Sequence, residues 1–307
     1  ETALQIPPFS VIIAAGKADF FMDLCNITEI RALLARHGFH FSKAKGQNFL
    51  IQRWVPQQIV LDAGVDAHCG VLEVGPGVGP LTDELCRAAG KVVAVEVDAS
   101  LRPVLAETMA GHENLTVIFG DILKTDIRRL VQEEFSGLRP MACANLPYYI
   151  TTPVLSALLE GRAFESVTVM VQKEVAQRIC ARPGAGEYGA FSVFCQYYAE
   201  PELLFDVPAH CFLPQPKVTS AVLTLRMRSA PVCRIDSEAL FFRVVRASFA
   251  QRRKTLLNGL NAGFAELSKD ELAALLQKSG FDPGIRGETL DIPGFAAIAN
   301  TLQERLA

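Results

Sequence analysis

Several features that would announce a specialised class are missing from this sequence. No apolar run reaches the eighteen or so residues needed to span a bilayer. The longest candidate, Ile6 to Leu24, is broken by Pro7, Pro8, Lys17, Asp19 and Asp23. That stretch also lacks the basic start and small-residue cleavage site of a secretory signal. A membrane role is therefore not expected, and a cytoplasmic protein is. No C-x-x-C pair occurs: Cys25, Cys69, Cys86, Cys143, Cys180, Cys195, Cys211 and Cys233 all stand far apart. This spacing excludes a zinc ribbon, a redox motif and a disulfide framework, and leaves the cysteines as small core residues. His37 and His40 lie three apart with no evident carboxylate or thiol partner, so no metal is expected. Positive charge is not in excess either, the formal net charge being -3. Internal repeats and low-complexity tracts are absent.

What remains is an ordinary globular composition, 50% hydrophobic and 21% charged over 307 residues, enough for one large domain and a small one. Residues 1–21 read as a tag or non-native extension ahead of Met22. From residue 71 the chain alternates strand and helix. Apolar runs at Val71–Val74, Lys91–Val97, Leu115–Phe119, Met141–Leu146 and Val167–Val171 are separated by helical spacing at Leu81–Ala89, Leu101–Met109 and Thr152–Leu159. Such alternation implies parallel βαβ units and a doubly wound α/β sheet. Thr219–Leu225 alternates and reads as a late antiparallel strand closing that sheet. Beyond Ser229 the strand signal ends, and helices are expected at Glu238–Ala250, Lys254–Leu260, Asp270–Lys278 and Ile292–Leu306, with Gly280 as a stop. The expected division is a catalytic domain over 22–229 and a helical domain over 230–307. Charge is unevenly spread between them: Arg226, Arg228, Arg234, Arg243, Arg246, Arg252, Arg253 and Lys254 face only Asp236 and Glu238 in the same stretch.

The turn after the first of these strands is Glu73-Val-Gly75-Pro-Gly77-Val-Gly79. Glycines between a strand and a helix let a ligand approach the backbone closely. Dehydrogenases, kinases and methyltransferases all use such turns. The dinucleotide fingerprint, however, wants Gly where this chain has Pro80, and the Gly-Lys-Ser/Thr of a P-loop is absent. Glu96 ends the second strand about twenty residues after Gly75, the distance at which a carboxylate accepts from ribose hydroxyls. Asp121 ends the third, where it can accept from an adenine amine while its apolar neighbour Ile122 covers the ring. Gly75 and Gly77, then Glu96, then Asp121 with Ile122, at three successive strand ends, suit an adenosyl ligand without a pyrophosphate.

The fourth strand ends in Asn145-Leu146-Pro147-Tyr148. An adenine amine is a poor nucleophile because its lone pair is delocalised into the ring. The Asn145 amide oxygen and the Leu146 carbonyl can accept its two hydrogens and draw the nitrogen toward a pyramidal shape, and Asn145 is expected to touch the cofactor as well. Pro147 fixes the turn, and the Tyr148 ring can stack on a base removed from its helix. Positioning, rather than a strong base, then does most of the work.

These strings resemble those of the bacterial small-subunit rRNA adenine N6,N6-dimethyltransferases, the kasugamycin-sensitivity family. The resemblance runs from about Phe41 to the end. It includes Lys45-Gly-Gln-Asn-Phe-Leu50, Gln172-Lys-Glu-Val175, Tyr188-Gly189, Phe212-Leu-Pro-Gln-Pro-Lys-Val218, Ser220-Ala-Val222 and Phe249-Ala-Gln-Arg-Arg-Lys-Thr255. It implies a Rossmann-like S-adenosyl-L-methionine-dependent methyltransferase with a small helical C-terminal domain. It further implies that Asn48 and Leu50 close over the methionine end of the cofactor, and that Phe212 is a second aromatic on the target base. The implied substrate is a pair of adjacent adenosines in a hairpin near the 3′ end of 16S rRNA, within an immature small subunit. Each adenosine receives two methyl groups. Phe249–Thr255 then starts a basic helix whose Arg252, Arg253 and Lys254 contact the rRNA backbone. Tyr149 departs from the pattern, since some relatives carry Asn or another polar residue there. A monomer is expected, because no exposed heptad or self-complementary patch is visible.

Three other readings compete. The macrolide-resistance dimethyltransferase of large-subunit rRNA shares the glycine turn and N-L-P-Y, but not the F-x-Q-R-R-K-T string with its helical tail. A non-catalytic assembly or transcription factor would not need Gly75, Glu96, Asp121 and Asn145 together. A DNA adenine methyltransferase would carry a DNA-recognition domain, which is missing.

Overall fold

The computed structural model describes residues 22–40, 46–251 and 253–306, together with the backbone of Ser10–Val11 (β1). Contacts divide the chain into two compact units, one of residues 1–173 and 202–227, the other of 174–201 and 228–307.

The first unit is built on a mixed sheet. Its parallel strands are Cys69–Val74 (β3), Lys91–Glu96 (β4), Leu115–Phe119 (β5), Arg139–Asn145 (β6) and Ser166–Gln172 (β7). Helices Pro80–Ala88 (α3), Arg102–Thr108 (α4), Ile127–Glu134 (α5) and Thr151–Gly161 (α6) make the crossovers. Two further helices, Ile27–Arg36 (α1) and Trp54–Ala63 (α2), precede the first parallel strand. All six residues of β3 are buried, as a central strand covered on both faces requires. Ser220–Met227 (β10) runs antiparallel to β7, pairing Ser220 with Gln172 and Arg226 with Ser166. The sheet does not close there, because Ala199–Val207 (β8) lies beyond β10 at the edge. The sequence pattern hides β8, since the strand is largely solvated and carries Pro201, which only an edge tolerates well. On the opposite edge, Ser10 and Val11 pair with Ile118 and Val117; the rest of residues 1–21 lies outside the described residues.

The strand order is β1-β5-β4-β3-β6-β7-β10-β8. Successive βα units leave β3 toward β4 on one side, and β6 packs on the other. The direction in which strands are added to the sheet therefore reverses at β3. In an open α/β sheet that point leaves a crevice between diverging connections, and the glycine turn sits there. A two-stranded ribbon, Phe49–Leu50 (β2) against Phe212–Leu213 (β9), pairs Phe49 with Leu213 and Leu50 with Phe212.

The second unit is helical. It contains most of Lys173–Cys180 (α7), then Ala190–Tyr198 (α8), Glu238–Phe249 (α9), Leu256–Gly263 (α10), Lys269–Lys278 (α11) and Ile292–Leu306 (α12). A division at 229 alone leaves 174–201 with the sheet, whereas their contacts are with these helices. Phe241, Phe264 and Phe295 form its fully buried centre. α9 and α10 approach closely because residue 259 is glycine; a Cβ there would stand 2.6 Å from the Ala247 carbonyl oxygen. Ser268 and Glu271 form a reciprocal capping box on α11.

The expected basic helix is not formed. α9 ends at Phe249, and the Thr255 side chain caps α10 by accepting from the Asn258 N–H, so helix resumes only at Leu256. Arg253 and Lys254 are exposed on the intervening turn, and Arg252 lies outside the described residues. His37, which has no visible partner in sequence, lies 2.6 Å through Nε2 from Glu107 of α4. Among the described residues no helix is long and apolar enough to cross a membrane. No cluster of three or more His, Cys, Asp or Glu among them could hold a metal ion.

Candidate active site

A cavity of about 290 Å³ opens at the carboxyl ends of β3, β4, β5 and β6. Its lining includes Gln47, Asn48, Leu50, Glu73, Gly75, Gly77, Glu96, Asp121, Ile122, Asn145, Leu146, Pro147 and Tyr148. Every cofactor-binding and catalytic position expected from sequence is thus brought to one site, with the exception of Phe212.

The glycine turn is shaped by left-handed backbone. Gly75 has φ 73° and Gly77 φ 62°, angles that side-chain-bearing residues rarely adopt. A Cβ on Gly75 would meet no atom within 4 Å, so the missing side chain leaves ligand room. Gly77 is covered instead: the Phe49 ring stands 3.0 Å from where its Cβ would be. Segment 46–50 is therefore packed on the turn through Phe49.

Glu96 is almost fully buried. Its Oε1 accepts from the Asp98 N–H at 2.7 Å and its Oε2 from the Gly77 N–H at 3.3 Å. It thereby braces the glycine turn. Asp98 in turn accepts from the Gln47 side-chain amide at 2.8 Å, linking segment 46–50 to the end of β4. Asp121 uses one oxygen to accept from the Leu123 N–H, and Ile122 is buried beside it. Val97 and Leu123 also line the cavity, and both keep much of their surface exposed. Neither stands out in sequence, because an apolar residue after a strand-end carboxylate looks like the next core position.

Glu73 has no role in the sequence pattern beyond opening the glycine string. It lines the cavity, is wholly buried, and its Oε2 has no hydrogen-bond partner. Burial pushes its carboxyl up to about 8, opposed by the neighbouring Thr82 hydroxyl and reinforced by the nearby Glu96 charge. A buried carboxyl oxygen is costly to leave without a full hydrogen bond. Among the described residues, the only polar side chain acting on this one besides Glu96 is the Thr82 hydroxyl.

At the other end, the Asn145 side chain donates through Nδ2 to the Asn48 carbonyl at 3.1 Å. That bond leaves Oδ1 as the amide's free acceptor, which is the orientation the chemistry needs. The Leu146 N–H donates to the Met170 carbonyl, and among the described residues nothing donates to the Leu146 carbonyl. The Tyr148 hydroxyl is 2.7 Å from Ser220 Oγ on β10, and burial raises its pKa. Ser220, fully buried, is a positioning residue to which the sequence pattern alone assigns no role.

Phe212 stands outside the cavity lining. It is 2% exposed, paired with Leu50 across the ribbon and packed in the hydrophobic core. It lies on the ribbon that continues from Asn48.

A glycine turn at the sheet's switch point, two strand-end carboxylates and an oriented amide beside an aromatic ring define a Rossmann-like methyltransferase acting on an amine. The chain belongs to the ribosomal RNA adenine dimethylase family, whose model matches residues 38–300. It is 45% identical over 284 residues to the ribosomal RNA small subunit methyltransferase A of Geobacillus thermodenitrificans, covering 91% of this chain and 97% of that protein. It is 46% identical over 289 residues to the protein of the same name from Shouchella clausii, covering 92% and 97%. A dimethyladenosine transferase from Plasmodium falciparum shares the fold at TM-score 0.69 and 23% identity, covering 83% of this chain and 98% of its own. A 23S rRNA methyltransferase superposes with TM-score 0.63 at 26% identity, covering 83% and 100%.

Proposed function

We propose that this enzyme uses S-adenosyl-L-methionine to dimethylate N6 of two adjacent adenosines in the hairpin near the 3′ end of 16S rRNA, acting as a cytoplasmic monomer on an immature small subunit. The relatives named for the small subunit cover almost the whole chain, and this favours the small subunit over the large. The observation that carries the chemistry is the Asn145 amide, locked by the Asn48 carbonyl with its oxygen free.

The cavity suits the cofactor. Glu96 and Asp121 supply acceptors for a ribose and an adenine amine, Ile122 an apolar cover, and Gly75 an unobstructed approach. Glu73 supplies a buried carboxyl, and Asn48 and Leu50 border the same space. When bound, the cofactor supplies an electrophilic methyl group; the protein contributes orientation. Asn145 Oδ1 and the Leu146 carbonyl accept the two amine hydrogens, freeing the nitrogen lone pair to form the new N–C bond. Tyr148 holds the base by its ring while Ser220 fixes its hydroxyl. The amine loses one proton to solvent in each round, and after the first only one N–H remains for the two acceptors. Exposed Arg253 and Lys254 at the turn before α10, with Arg252, would add phosphate contacts that position the RNA without reading its sequence.

The deciding assay incubates the protein and cofactor with small subunits lacking the modification, with large subunits in parallel, followed by digestion and mass spectrometry. N6,N6-dimethyladenosine on small subunits only, absent with Asn145→Ala, is the expected result. Product on large subunits alone overturns the substrate; tight particle binding without product overturns the enzymatic reading.

A further inference from the structure

Among the described residues, Tyr149 is the one aromatic side chain of the cavity lining that faces outward, with 57% of its surface exposed. It is nonetheless held in place. Its backbone lies in the 3-10 turn Tyr148–Ile150, closed by the Ile150 N–H donating to the Pro147 carbonyl at 3.1 Å. One edge of its ring rests on Gly46, whose Cβ, were there one, would lie 3.0 Å from Cδ1 and 3.3 Å from Cε1. No described residue hydrogen-bonds its hydroxyl, in contrast to Tyr148, whose hydroxyl is committed to Ser220. It lines the same cavity as Asn145, Pro147 and Tyr148, which it follows directly in the chain at the end of β6.

We infer that the exposed ring of Tyr149 is a second nucleotide subsite, stacking on the base next to the adenine that enters the cavity. This rests on the function proposed above. Removing one base from its stack uncovers a face of its neighbour, and a fixed, solvent-exposed aromatic at the pocket mouth is where that face can be covered again. The chemistry also matches a substrate of two adjacent adenosines. Once the first has been dimethylated, it becomes the neighbour of the second and has lost both amine hydrogens. A subsite that read the amine by hydrogen bonds would reject it. A ring that reads only the π face accepts unmodified and dimethylated adenine alike.

The test compares Tyr149→Ala and Tyr149→Phe with the unaltered protein on unmodified small subunits. A second substrate is small subunits reconstituted around rRNA with an abasic nucleotide beside the target adenosine, made for either side. Tyr149→Ala is expected to lower kcat/KM about tenfold through KM, the loss of one base stack. Tyr149→Phe should restore it, and the cofactor Kd should stay within about twofold in both. On one of the abasic substrates the unaltered protein should lose the same factor, and Tyr149→Ala should lose nothing more. Three results would overturn the subsite: no effect of Tyr149→Ala, a cofactor Kd that moves with it, or equal additional losses on intact and abasic substrates. If the unaltered protein yields no product on intact subunits, the underlying function fails instead, which separates the two ideas.

Discussion

The two units of this molecule treat their buried polar groups differently. In the helical unit the buried hydroxyls are satisfied internally. Tyr188 donates to the Leu290 carbonyl, Ser248 to Val244 and Ser192 to Arg178, while Tyr197 and Tyr198 share the Glu238 carboxylate. In the sheet unit Glu73, Thr82 and Thr108 keep buried oxygens without partners, and Glu73 does so on the wall of the cavity. A scaffold minimises such groups because each costs stability. A binding site keeps some because a ligand completes them. Of the three, Glu73 alone lines the cavity, so it alone bears on ligand binding.

The largest expected effect tests the packing side. Phe295→Ala, at the fully buried centre of the helical unit, should lower stability by about 3–5 kcal/mol in urea unfolding. A loss under about 1 kcal/mol would mean that this unit is looser than its burial indicates. Next comes Asn145→Ala, which should reduce methyl transfer about 10²–10³-fold, the usual consequence of removing one preoriented polar group from an active site. Its cofactor affinity, measured by calorimetry, should change by only a few-fold. A parallel collapse of affinity would place Asn145 on the cofactor rather than on the amine.

Glu73→Gln bears directly on the comparison. Burial raises the native carboxyl from 4.5 to about 8, so ionisation opposes folding. The stability associated with the neutral acid is fully present below the unfolded pKa and is lost as pH rises through the folded one. The cofactor-free mutant should therefore gain on the parent as pH rises from about 4.5 to about 8. The gain should reach a few kcal/mol, because each tenfold change in proton affinity between the two states is worth ~1.4 kcal/mol. Melting curves with a constant difference across that range would show that Glu73 is not desolvated. The smallest effect is expected for the pair Arg253→Ala and Lys254→Ala, both solvent-exposed. RNA affinity should fall a few-fold, with a shallower salt dependence and unchanged cofactor binding. An unaltered salt slope would remove the turn from the RNA surface.

Much of the site is legible because strand ends carry local signals. Glycines that need positive φ, and carboxylates that end apolar runs, are visible one element at a time. Gly75, Glu96, Asp121 and Asn145 accordingly line one cavity, as their spacing implies. The departures involve partners distant in sequence or competing local signals. β8 escapes the pattern because an exposed edge strand has no apolar period. The basic helix is expected from charge, whereas capping by Thr255 decides where helix resumes.

By itself, the sequence determined the alternation of strands and helices, the glycine turn and the N-L-P-Y strand end, since hydrophobic period and backbone permissiveness are local properties. Only the tertiary structure decided that Phe212 faces the core, that Asn48 sets the Asn145 amide, that Ser220 holds Tyr148, and that burial raises the Glu73 carboxyl. Each of these depends on a contact or a desolvation created by residues far apart in the chain, and no local pattern encodes it.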